Sequence, residues 1–143
     1  MLSGIIFSVI AGAAMSIQGV MNTRLGEGIG NVEANAFVQG TAFALALGVL
    51  LFYRQGSFSE LGTVNKLYWL GGVLGLVITL TVMLGIKSLG TTLAVSIILI
   101  SQLLIAALID ALGLMGSEKL AFGWQKYLGL ALMTGGMLMF KGA

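Results

Sequence analysis

The residues of this chain best able to touch a solute come as two pairs of carboxamides. Gln18 and Asn22 are four residues apart, and so are Asn35 and Gln39. Positions i and i+4 share one face of a helix, so each pair presents two amides side by side. An amide donates and accepts hydrogen bonds without titrating, which suits holding a solute rather than transforming it. A fifth amide, Gln102, falls in the middle of a long apolar run. Two acids border or interrupt such runs, Glu33 and Asp110. Either could handle a proton or a cation, or could fix assembly by pairing with a base such as Lys119. The chain has no His and no Cys. Zinc sites, thiolate nucleophiles, disulfides and imidazole catalysis are therefore excluded. Without paired carboxylates at one depth, an enzyme is disfavoured, and no cofactor or metal is expected.

The elements that must position these groups follow from composition. Of 143 residues, 58% are hydrophobic and 8% charged, against roughly 25% charged in a soluble domain. Mean hydropathy is +1.06. Seven basic and five acidic side chains cannot cover a soluble fold of this size, so the expectation is an all-α integral membrane protein with the lipid bilayer as its main partner. A nucleic-acid role is not expected. A bilayer core of about 30 Å takes about 20 apolar helical residues, and five such stretches can be read, at about 2–21, 33–53, 67–86, 91–115 and 124–140. The connections between them are short, which predicts a single domain over 1–143. The runs are too long and too continuously apolar for barrel strands. The first lacks the basic start of a signal peptide.

There is no Pro, and there are 22 Gly. Gly4, Ser8, Gly12 and Ser16 form a small-residue stripe at i+4 spacing, as do Gly71 and Gly75. Such stripes let helix backbones approach closely. Gly129, Gly135 and Gly136 give the last, nearly apolar helix a surface suited to packing or dimerisation. Trp69, Trp124, Tyr53, Tyr68 and Tyr127 mark helix ends, as interfacial aromatics do.

Five spans put the termini on opposite sides. The N-terminal side then holds Arg54, Lys66, Lys119 and Lys126, and the far side holds Arg24, Lys87 and Lys141. Orientation follows the Lys/Arg asymmetry of short loops, and four against three gives almost no instruction. The expectation is insertion both ways round. A short chain of that kind can obtain the inverted repeat of many transporters by pairing with an upside-down copy, making a ten-helix antiparallel homodimer. Gln18 and Gln39 lie roughly 8 Å from their helix centres, both toward the far side, and the two pairs can form one cluster. They can serve as substrate contacts or as hydrogen bonds between helices. Asp110 lies roughly 12 Å from its helix centre toward the N-terminal side. In an inverted copy it would reach the depth of that cluster.

Four segments carry a resemblance. They are Gln18-Gly-Val-Met-Asn22 with Leu25-Gly26, Glu33-Ala-Asn-Ala-Phe-Val-Gln-Gly40, Gly71-Gly-Val-Leu-Gly75, and Ser101-Gln-Leu-Leu-Ile-Ala-Ala-Leu-Ile-Asp-Ala-Leu-Gly113. Together they resemble the YdcZ-like group of the drug/metabolite transporter superfamily, related to the small multidrug resistance exporters, over essentially the whole chain. The resemblance implies a multi-pass protein of the bacterial cytoplasmic (inner) membrane that moves a small organic molecule. It also implies assembly either as an antiparallel homodimer or with an oppositely oriented partner chain. One feature departs from those exporters: the first helix carries no acid, so their proton-coupled exchange through a glutamate there is not implied. A non-transporting or heterodimeric subunit is the alternative.

Overall fold

The computed structural model describes residues 1–120 and 123–142. Among them there is no strand. Five long helices carry the fold: α1 (Leu2–Ile29), α2 (Asn31–Phe52), α3 (Gly71–Leu89), α4 (Thr91–Leu112) and α5 (Trp124–Gly142). Two 3₁₀ turns, Phe58–Thr63 and Lys66–Leu70, lead from α2 into α3. Ser57 and Asn65 cap them, each accepting a backbone N–H two residues on. Four stretches are long and apolar enough to cross a membrane: Leu2–Ile29, Asn31–Phe52, Lys66–Leu89 and Thr91–Leu112. α5 is not among them. Its opening Trp-Gln-Lys-Tyr and its Lys141 leave a shorter apolar run between.

The helices differ from the expected ones mainly at their ends. The glycine-rich segment after Met21 was expected as a loop, but α1 continues through it to Ile29. Helical glycine costs about 1 kcal/mol against alanine, which close packing of Gly26 offsets. An added Cβ at Gly26 would sit 2.6 Å from Met83 Cε and 2.5 Å from Asn31 Oδ1. Arg24 also bonds Glu27 at 2.9 Å, one turn along the helix. The chain reverses instead at one residue, Gly30, with φ 101° and ψ 144°. That conformation belongs to glycine almost alone. Gly90, between α3 and α4, also has a positive φ, with φ 78° and ψ 164°. At the other end of α4, the expected helix to Met115 stops at Leu112, because Gly113 adopts the left-handed cap conformation.

The chain divides into two compact units, residues 1–87 and 88–143. In the first, α2 packs back along α1, and α1 meets α3 through glycines. A Cβ at Gly19 would lie 2.9 Å from Ile86 and 3.1 Å from Val82. Met83 and Ile86 are buried there. The stripe of Gly4 and Gly12 meets no side chain, and Gly75 touches only Gln39 Nε2, at 3.8 Å. The close approach thus uses the C-terminal half of α1. In the second unit, α4 packs against α5. The backbone carbonyl of Asp110 accepts from Gly113 N–H and, at 2.9 Å, from Leu120 N–H, which ties the connecting loop to the end of α4.

Most apolar side chains on every helix face outward, among them Phe7, Ile10, Leu45, Leu74 and Leu132. In a membrane their surroundings are hydrocarbon, and the backbone satisfies itself within each helix.

Candidate functional site: a carboxamide cluster on three helices

Polar side chains are rare in the interior of the first unit, and three of them are buried: Asn22, Thr23 and Asn35. Thr23 is satisfied locally, its hydroxyl donating to Gly19 O at 2.7 Å. The other two belong to the amide pairs.

α1 presents Gln18 and Asn22 to a small cleft of about 40 Å³ whose far wall is Ile78, Thr79 and Val82 of α3. Asn22 is 7% exposed, and Gln18 stands at the open edge. α2 presents its pair to the same helix. Asn35 Nδ2 donates to the carbonyl of Leu76 at 3.4 Å, and Gln39 Nε2 donates to Thr79 Oγ1 at 3.4 Å. Both bonds are long, at the weak end of the hydrogen-bond range. Thr79 in turn donates to Gly75 O at 2.9 Å. Its hydroxyl therefore joins the two pairs: it accepts from α2 and lines the cleft of α1.

Among the described residues, one fully buried side-chain atom of this cluster has no partner. Asn35 is 3% exposed, and its Oδ1 is buried with no hydrogen-bond partner. A buried acceptor left unsatisfied costs about 1–3 kcal/mol. The cluster carries no ionised group, so its chemistry is that of hydrogen-bond donors and acceptors at fixed positions.

The other expected site residues lie elsewhere. Glu33 is exposed in the first turn of α2, where the helix dipole favours an acid, and its carboxylate folds back over Gly30. Gln102 is on the exposed part of α4. Asp110 lines a separate cavity in the second unit, which Lys126 of α5 also lines. No ion pair joins Asp110 to Lys119 among the described residues; there is one such pair, Arg24–Glu27. Gly129, Gly135 and Gly136 meet nothing within 4 Å, so their small surface is open in the single chain. Groups of acids able to hold a metal are absent among the described residues.

A family model described as "Putative inner membrane exporter, YdcZ" matches residues 3–139. No curated protein and no solved structure matches the chain.

Proposed function

Given that the chain belongs to the YdcZ family of inner membrane exporters and is a multi-pass protein of that membrane, we propose that it moves a small, uncharged, hydrogen-bonding organic molecule by alternating access. The observation that carries the substrate reading is the unpaired, buried Oδ1 of Asn35, one turn from Gln39, whose partner Thr79 lines the cleft of Gln18 and Asn22. A site with an orphaned acceptor and no charge rewards a solute that donates an O–H or N–H. It penalises a highly charged one, whose desolvation nothing there offsets.

The working unit is an antiparallel homodimer. α5 crosses the membrane as the fifth span. Its 19 residues reach about 28 Å, and Lys126 and Lys141 can extend their ammonium groups to the two interfaces. With five spans and basic residues distributed four to three, the chain inserts in both orientations. Gly135 and Gly136 of α5, which meet nothing within 4 Å, face the inverted copy. The site sits where inverted halves meet, and rocking of one chain against the other opens it to each side.

Single-cysteine labelling tests the assembly, because the chain has no native Cys. One Cys replaces Ser59 and another Ala143, each labelled in cells from outside and after permeabilisation. Comparable labelling of both positions from both sides is the expected result. Labelling of each from one side only sinks the homodimer and points to an oppositely oriented partner chain. For the solute, a thermal-unfolding screen of the purified chain against small neutral alcohols, amides and sugars should return shifts that charged analogues do not give.

A further inference from the structure

The second unit holds a cavity of about 250 Å³ between α4 and α5. Leu103, Ala106, Ala107, Leu130 and Met133 make its walls, and Gly129 leaves its floor open. Its polar groups are at one end. Asp110 is in the last turn of α4 and Lys126 in the first turn of α5, so the charges share one end of the helix pair. From Asp110 to Leu103 the lining descends roughly 10 Å along α4, and it is apolar throughout. With α4 spanning the membrane, a carboxylate and an ammonium stand near headgroup depth, above a slot open to hydrocarbon.

We propose that this cavity is a binding site for a zwitterionic phospholipid bearing a primary ammonium, of the phosphatidylethanolamine type. One acyl chain occupies the slot over Gly129. The lipid ammonium donates to the Asp110 carboxylate, for which no side-chain partner exists among the described residues. The phosphate sits by Lys126, whose ammonium has three donors and can add a phosphate oxygen to any bond it already makes. The backbone dipoles reinforce this order. The C-terminal end of α4 favours the cation, and the N-terminal end of α5 favours the anion. An anionic lipid would place no positive group on Asp110. A choline head has a cation but no N–H to donate. The site is separate from the carboxamide cluster of the first unit and does not depend on its role.

The test uses the purified full chain in detergent, with dioleoyl phosphatidylethanolamine, phosphatidylcholine and phosphatidylglycerol added separately. Lipid retention is read by native mass spectrometry, and folding by thermal unfolding. The ethanolamine lipid is expected to be retained about tenfold more than either of the others, as charge-assisted hydrogen bonds allow. Asp110→Asn should reduce that preference to near parity. Gly129→Leu should fill the slot and abolish retention, while Ala131→Leu, on the exposed part of α5, should not. Equal retention of the three lipids by the wild-type chain overturns the proposal. So does full retention by a folded Gly129→Leu variant. If Gly129→Leu instead splits the dimer while the ethanolamine preference survives, the groove seats a second copy of the chain and the lipid site is likewise refuted. Asp110→Asn adds no volume, so the headgroup arm stands even where the Leu variant fails to fold.

Discussion

Asn35 separates the two uses a buried carboxamide can have. If it only joins helices, its loss should weaken the fold. Its single bond, to Leu76 O, is long, and its Oδ1 has no partner. Asn35→Leu should therefore leave thermal stability within about 1 kcal/mol of wild type, or raise it by removing the orphan. The same variant should lose the thermal shift given by neutral hydrogen-bonding solutes. A drop in stability with the solute response intact would mark Asn35 as structural. Thr79→Val keeps the shape and removes the hydroxyl that Gln39 donates to. The expected loss is again in the solute response, since bonds between membrane helices contribute only about 0.6 kcal/mol on average. Gln18, Asn22, Asn35 and Gln39 were legible because amides are rare in apolar helices and i, i+4 spacing declares a shared face. Thr79 was not legible. A mid-helix threonine usually bonds its own backbone, as Thr79 does to Gly75. Nothing in the sequence reveals that its remaining lone pairs face Gln39.

At the scale of elements, hydrophobic runs located every long helix, because about 20 apolar residues in succession leave few alternatives. Their ends were less legible. Glycine-rich segments read as loops, yet a glycine breaks a helix only where its φ turns positive, and packing decides which one that is. Gly26 and Gly28 remain helical while Gly30 does not. The contrast can be measured. Gly28 has open space around an added Cβ, so Gly28→Ala should stabilise the chain by up to about 1 kcal/mol through helix propensity. Gly30→Ala should destabilise it by about 1–3 kcal/mol, from the forbidden backbone region and from collision with the Glu33 carboxylate. Thermal unfolding in detergent distinguishes them. Equal effects at the two positions would show that the reversal is not pinned to Gly30. The stripes at Gly4, Gly12, Gly71 and Gly75 illustrate the same limit from the other direction. Spacing proposes a contact face, but Gly19 and Gly26 make the close contacts.

For the whole molecule, the proposed five-span topology leaves a difference of one basic residue between the two sides. A balance that fine is easily tipped. Gln55→Lys with Glu60→Lys adds two positive charges to the α2–α3 connection, which is exposed. The orientation carrying that connection in the cytoplasm should then dominate, and cysteine labelling at Ala143 should become one-sided. Transport should fall with it. Co-expression with a copy biased the other way, such as Ser88→Lys, should restore it. Failure of the pair to complement would separate orientation from assembly. Counting Lys and Arg predicts the ambiguity, but the sequence does not display the surface that would meet the proposed inverted copy.

The single-residue joint at Gly30 also bears on how the chain is made. α1 and α2 have one residue between them, so they are expected to enter the bilayer as one hairpin with its tip leading. The tip carries Arg24 and Glu27 already bonded to each other at 2.9 Å, with Glu33 one turn beyond the reversal. With a single basic residue, Arg24, the tip is expected to give the insertion machinery little reason to retain it on either face. The scarcity of basic residues at that point is thus expected to act during biogenesis. It operates before any span after the hairpin has been translated.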